Sequence, residues 1–303
     1  MAMLFDVRRG SCVDGPGIRT VVFVKGCNLR CKWCHNPESQ ESAQQRMWYE
    51  HKCSDCGACI AACQNGCLAA DEKTGKPVFN AENCGICGRC TEVCPSGAAV
   101  ICGFSSDTEA LAETIKKDRI FYEATGGGVT ISGGECMLQP DFTAALLKKC
   151  KYEKISTAVD TAGNVPWESF EKVMPHTDMF LYDIKCITSS LHRNFTGCGN
   201  ALILENYKKL LSHGCRVIVR VPLICGFNDS HAEFAKITDF LQSFTPESAE
   251  ILPYHRLGET KYAALGTDIP RSFDIPDENI LDEYRKILRR IISTAQPHRS
   301  RFP

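Results

Sequence analysis

The sequence predicts an α/β protein, a partial (β/α)6 barrel of the TIM type that carries a small cysteine-rich insert. Two observations predict it. Six short, apolar, β-branched runs alternate with helical patterns along most of the 303 residues. Such strands, separated by amphipathic helices, make a parallel sheet covered on its faces. The second observation is the crowding of nine of the 20 cysteines between positions 53 and 94, inside the first strand–helix unit.

The strand-like runs, in order, are TVVFVKG at 20–26, GVTISGGE at 128–135, ISTAVDTAG at 155–163, MFLYDIK at 179–185, RVIVRVPLI at 216–224 and SAEILPYH at 248–255. Between them, DTEALAETIKKDRIFYEA is expected to bring Leu111, Ile115 and Ile120 near one helical face. NALILENYKKLLSHG stops on Gly214, and SHAEFAKITDFLQSF is amphipathic in the same way. The expected division is a barrel of residues 1–48 and 103–303 and an insert of residues 49–102.

Bulk composition narrows the function. Charges nearly cancel at −1 with no long basic run, so no nucleic-acid partner is expected. No apolar stretch reaches the ~20 residues of a membrane span. MAMLFDVRRGS is too short and too charged for a secretory signal, so a cytoplasmic protein is expected. Thiols there stay reduced, and so many cysteines then point to metal rather than to disulfides.

The spacing selects the metal. Cys53, Cys56, Cys59 and Cys63 follow C-x2-C-x2-C-x3-C, and Cys84, Cys87, Cys90 and Cys94 repeat it, followed by Pro95. This is the ligand spacing of bacterial two-cluster ferredoxins, in which three cysteines of one run and the fourth of the other hold each [4Fe–4S] cluster. One set is then Cys53, Cys56, Cys59 and Cys94, the other Cys84, Cys87, Cys90 and Cys63. Cys67 rivals Cys63, because Gln64 stands where a proline usually follows. Paired zinc ribbons use longer gaps and fit poorly.

Polar residues fall at strand ends, where βα barrels keep their chemistry. A loop with Cys27, Cys31 and Cys34 follows strand one. Gly133, Gly134 and Glu135 end strand two, Asp160 and Thr161 strand three, and Asp183 and Lys185 strand four. Arg220 and Pro222 end strand five, and Tyr254 and His255 strand six. All would open onto one rim.

C-x3-C-x2-C with Trp33 before its third cysteine resembles the radical S-adenosylmethionine (SAM) superfamily. DGPGIRTVVFVKGCNLRCKWCHNPES, ISGGE, DTAG, YDIK, RVPLICGFNDS and LPYHRLG, in this order over almost the whole chain, resemble the glycyl radical enzyme activating enzymes. The insert resembles that of the subgroup serving dehydratases, decarboxylases and related lyases, which the shorter pyruvate formate-lyase activase lacks.

The resemblance implies site roles. Cys27, Cys31 and Cys34 would hold three irons of a [4Fe–4S] cluster and leave the fourth open to SAM. Trp33 would pack near the adenine or simply within the loop. Gly133 and Gly134 would let the backbone approach the methionine end of SAM, with Glu135 in the same motif. Cys136 replaces a usual proline and reads as inert. Asp160, Thr161 and Asp183 would face the methionine carboxylate, a region that holds a monovalent cation in some activases, and Lys185 would add a positive charge. Arg220 is either a SAM contact or a rim salt bridge. His231 is either a SAM neighbour or an exposed helix-start residue. Asp14 and Gly15, in DGPGIR, would lie where the partner's glycine loop docks, although Val13 stands where the family commonly has histidine.

The implied activity is reductive cleavage of SAM and hydrogen abstraction from a glycine Cα of a glycyl radical enzyme, under anaerobic conditions. The implied inventory is three [4Fe–4S] clusters, a monomer, and flavodoxin or ferredoxin as electron donor. Two other readings are a radical SAM peptide-modifying enzyme with auxiliary clusters and a polyferredoxin electron carrier. The carrier accounts for the insert but not for ISGGE, DTAG or YDIK.

Overall fold

The computed structural model describes residues 1–80 and 83–295. Its strands, numbered along the chain, are β1 (Ala2–Ser11), β2 (Arg19–Val24), β3 (Gln45–Trp48), β4 (Leu68–Ala70), β5 (Pro77–Phe79) and β6 (Ala99–Cys102). They continue as β7 (Phe104–Ser106), β8 (Gly128–Gly133), β9 (Ser156–Thr161), β10 (Met179–Asp183), β11 (Val217–Leu223) and β12 (Ser248–Pro253).

The six expected strands are β2 and β8 to β12. They pair in parallel, in chain order, along one open sheet. Every residue of β2 is buried, as a strand covered on both faces requires. Helices built from alternating apolar positions supply the cover. Phe170, Tyr207 and Phe234 are buried against the sheet among Val159, Phe180, Tyr182 and Val219. Each fully buried side chain of this kind contributes roughly 1.5–3 kcal/mol.

The sheet has two further strands that the apolar pattern did not reveal. β1 runs antiparallel to β2, and β7 antiparallel to β1, which places β7 and β12 at the edges. β1 reads DVRRG over its second half and is exposed there, so it has no apolar run to betray it. A helix at Glu278–Ala295 was also unforeseen. It packs on β12 and on the helix His231–Ser243, where Tyr284 stacks on Phe234 at 3.7 Å.

The segment after β7 departs from expectation. It forms two helices, Thr108–Lys116 and Arg119–Thr125. Leu111 and Ile115 are buried, but Ile120 is 71% exposed. The break falls at Asp118, whose buried carboxylate accepts from Arg9 and from Thr20 Oγ1.

β3 and β6 form an antiparallel ribbon, Gln45 opposite Cys102 and Trp48 opposite Ala99, from which the cysteine-rich segment projects. That segment is an internal repeat in backbone as well as sequence. Asp55 and Ile86 both have positive φ, Gly57 and Gly88 are left-handed at the starts of the short helices Ala58–Ala62 and Arg89–Glu92, and Gly66 and Gly97 are left-handed after the fourth cysteines.

Candidate active site

At the carboxyl ends of the parallel strands lies a cavity of about 460 Å³. Its lining includes Cys27, Cys31, Trp33, Cys34, Gly133, Gly134, Asp160, Thr161, Asp183, Lys185, Arg220, Pro222, Tyr254 and His255, with Asp14 at the edge. One space thus collects residues from all six strand ends.

The cysteine loop is fixed from both sides. Gly26 N–H donates to Ser39 O and Cys27 N–H to Gln40 O, while Arg30 and Lys32 donate backbone N–H to Thr196 and Phe195. Trp33 anchors it among Phe195, Phe227 and Phe273, with its ring 4.6 Å from that of Phe227. The indole is 7% exposed, so loop packing is a role it certainly has, and one edge still lines the cavity.

Gly133 and Gly134 line the cavity, and the packing behind them also requires glycine. Gly133 has φ +125°, and a Cβ there would lie 2.2 Å from Val24 O; at Gly134 it would lie 2.3 Å from Gly26 O. The bare backbone lets β8 close against the root of the cysteine loop, where Gly134 N–H donates to Val24 O and Glu135 N–H to Gly26 O. Close approach to the loop demands the glycines.

Glu135 lies behind the cavity wall. Its Oε1 accepts from Thr161 Oγ1 at 2.7 Å and Met137 N–H at 3.1 Å, and Oε2 accepts from Ala162 N–H at 2.9 Å. Burial pushes its carboxyl up to about 7. It is a positioning residue for the DTAG turn.

The polar wall is a chain of buried charges. Lys185 Nζ donates to Asp183 Oδ2 at 2.7 Å. Burial opposes the ammonium charge, but Asp183 and the nearby cysteines outweigh it and raise its pKa. Asp160 accepts from Ser132 Oγ at 2.7 Å and pairs with Arg220 at 3.3 Å, and burial raises its carboxyl. Arg220 also meets Glu250 at 3.5 Å. The salt-bridge reading of Arg220 therefore holds. Its Nε and Nη1 are nonetheless buried without an aligned acceptor, so they remain available as donors.

Two of the candidate residues lie outside the cavity lining. His231 begins its helix with its side chain 79% exposed, beside Tyr284 and 4.0 Å from Glu283; it does not line the cavity. An N-terminal helix position on the outer layer turns the ring outward. Gly15 is also outside the lining. Its left-handed backbone, φ +113°, packs over the buried Arg19 side chain, which supports the loop from below by donating to Thr130 Oγ1 and Val129 O. Asp14 is held by Ser11 Oγ at 2.5 Å and, through its carbonyl, by Thr130 Oγ1 at 2.7 Å. Sequence reading missed Ser132 and His35. His35 stacks on His255 at 4.0 Å, and burial pushes its imidazole down to about 4.

These residues fit an iron–sulfur cluster with SAM beside it. All three cavity cysteines are free. Burial pushes Cys27 and Cys31 up to about 12, so without a metal they are inert thiols. No three acidic, His or Cys side chains converge on a single ion position among the described residues. A [4Fe–4S] cluster asks for something different, one thiolate per iron around a wide cubane. The unaligned donors of Arg220 suit a carboxylate.

The insert holds the second cysteine set. Cys63, Cys67, Cys84, Cys87 and Cys90 line one small cavity. The internal repeat distinguishes Cys63 from Cys67. Cys67 N–H donates to the Cys63 sulfur at 3.2 Å, and backbone N–H groups two, four and five residues on lower the Cys63 and the Cys94 thiols alike. Cys63 thus matches Cys94, and Cys67 occupies the place of Ala98.

Comparison with known proteins agrees with this architecture. The Radical SAM superfamily model matches residues 81–238, and the 4Fe-4S dicluster domain model matches residues 52–98. The trans-4-hydroxy-L-proline dehydratase activating enzyme of Clostridioides difficile is 42% identical, covering 94% of this chain and 95% of that protein. The choline trimethylamine-lyase activating enzyme of Oleidesulfovibrio alaskensis is 41% identical over 89% of this chain and 88% of that protein. In fold alone, the chain resembles Streptococcus suis SuiB bound to precursor peptide SuiA, at a TM-score of 0.54 and 12% identity, covering 90% of this chain and 46% of SuiB. An electron carrier would share neither the barrel nor these relatives. The chain belongs to the radical SAM superfamily and, within it, to the activating enzymes of glycyl radical enzymes.

Proposed function

We propose that this activase carries three [4Fe–4S] clusters, one at Cys27, Cys31 and Cys34 and two in an insert of residues 49–102, and that it serves a dehydratase or lyase. The partner class follows the relatives, which are named for choline and isethionate lyases and for hydroxyproline dehydratase. The observation that carries the reading is the single cavity in which three thiols face the Asp160, Asp183, Lys185 and Arg220 wall.

A cluster held by Cys27, Cys31 and Cys34 would supply the electron for reductive cleavage of SAM, the chemistry that hydrogen abstraction from a glycine Cα requires. The protein's own residues orient and enclose. Lys185 and Arg220 neutralise the SAM carboxylate, and Asp160, Thr161 and Asp183 complete the polar wall or hold a monovalent cation beside it. Gly133, Gly134 and Glu135 fix the wall's shape. Trp33 holds the cysteine loop rigid against the aromatic cluster. Asp14, at the cavity edge, receives the extended glycine loop through polar contacts of the kind that bind peptide backbones. The insert relays electrons from a flavodoxin or ferredoxin, and the activase works as a cytoplasmic monomer.

Anaerobic reconstitution tests the reading. The wild-type protein should bind about twelve irons, by three clusters of four, and produce 5′-deoxyadenosine from SAM and a strong reductant. Replacing Cys27, Cys31 and Cys34 with alanine should remove one cluster and all 5′-deoxyadenosine. Loss of every cluster from that variant would contradict separate sites.

A further inference from the structure

Arg46 lies on β3, opposite Ile101 in the ribbon that joins the insert to the barrel. It is 7% exposed. Its guanidinium stacks on Phe79 at 4.5 Å and lines the cavity formed by Cys63, Cys67, Cys84, Cys87 and Cys90. Its Nε and Nη2 are buried with no hydrogen-bond partner among the described residues.

Burying an unpaired guanidinium is costly, so a buried cation normally faces an anion or a set of acceptors. The cavity supplies one by its chemistry. A cubane held by four thiolates is anionic and presents sulfur acceptors. Hydrogen bonds to those sulfurs and nearby positive charge both shift the reduction potential. The ribbon lies outside the internal repeat, so Arg46 has no counterpart in the other half; it lines the cavity of the Cys63, Cys84, Cys87 and Cys90 set, while its charge also reaches Cys59 of the other set. Its neighbour Gln45 accepts from Lys25 Nζ at 3.0 Å, and Lys25 precedes the Gly26–Cys27 root of the catalytic loop. The guanidinium therefore stands at the junction of insert and barrel.

We propose that Arg46 is a positioning residue for the cluster of Cys63, Cys84, Cys87 and Cys90, donating N–H to its sulfurs and stabilising its reduced form. Reduction adds one electron, taken from an external one-electron donor, and no proton. The added negative charge is offset by the guanidinium, so this cluster is the easier one to reduce. The inference deepens the relay reading and rests on it for its purpose, but its measurement stands alone.

The test is an anaerobic redox titration of the fully loaded protein, read by electron paramagnetic resonance, in wild type, R46K and R46Q. R46Q should keep its iron and shift one cluster to lower potential by at least tenfold in its reduction equilibrium, about 59 mV for one electron. The cluster of Cys53, Cys56, Cys59 and Cys94, whose Cys59 also feels Arg46, should shift less, the catalytic cluster should stay in place, and R46K, which keeps the charge, should shift the Cys63, Cys84, Cys87 and Cys90 cluster less than R46Q does. Unchanged potentials in R46Q would overturn the proposal. Loss of that cluster from both variants would make the guanidinium a scaffold and overturn it as well. The relay reading fails on a different result: in wild type, a protein donor would reduce the catalytic cluster while both insert clusters stayed oxidised.

Discussion

Thr161 and Glu135, at the ends of neighbouring strands, share one hydrogen bond: Thr161 Oγ1 donates to Glu135 Oε1 at 2.7 Å. Thr161 Oγ1 in turn accepts from Gly163 N–H at 2.9 Å, and Glu135 Oε2 from Ala162 N–H. A carboxylate outside the cavity thus sets the turn that lines it.

Replacing Glu135 with alanine leaves three buried donors without their acceptor. A loss of roughly 1–3 kcal/mol is expected from each such orphaned group, with partial relaxation, and anaerobic denaturant unfolding measures it. The pH dependence carries a sign. Burial raises this carboxyl from 4.5 to about 7, so between those values the folded state keeps a proton that the unfolded state has lost. Its contribution is fully present below the lower value and disappears as pH rises through the upper one. E135A should flatten the stability–pH slope in that window.

Lys185 forms a buried ion pair with Asp183. K185A leaves Asp183 without its counter-charge in the cavity and removes a positive charge that acts on Cys27, Cys31 and Cys34. SAM affinity, measured by anaerobic equilibrium binding, should fall about tenfold or more, corresponding to 1–3 kcal/mol. D183A should weaken binding in the same direction. Wild-type affinity in both variants would remove these residues from SAM recognition.

Cys63 and Cys67 should separate by iron content. C67A should keep all three clusters, since its counterpart in the repeat, Ala98, has no thiol. C63A should lose one cluster. The reverse pattern would make Cys67 the ligand.

The insert's role is read with two reductants. In a variant with Cys84 and Cys87 replaced by alanine, a protein donor should fail to drive activation, while a small artificial reductant still drives SAM cleavage. Equal activation by both would leave partner docking or scaffolding as the insert's work.

The parallel strands were legible because burial on both faces forces unbroken apolar runs, as in β2 and β10. β1 was hidden because half of it is exposed and charged. Spacing named the cysteines, since a cubane demands them at fixed intervals. It gave Cys63 with Cys67 as a rival, and the backbone N–H groups that act on both sulfurs match Cys63 to Cys94. The strand-end residues met in one cavity because topology brings strand ends together. The two readings of His231 stayed open because the choice depends on how the outer helix docks, and the docked helix leaves it exposed. The packing demand on Gly133 and Gly134 was also illegible, because it lies in Val24 and Gly26, more than a hundred residues away in sequence.

The most direct test of the central claim is isotope transfer. Hydroxyproline dehydratase, choline lyase and isethionate lyase are prepared with glycine deuterated at Cα and mixed anaerobically with this protein, SAM and reductant. The account predicts deuterium in 5′-deoxyadenosine with at least one of these partners, together with a glycyl radical signal on that partner. 5′-Deoxyadenosine formed in every mixture without deuterium would contradict it.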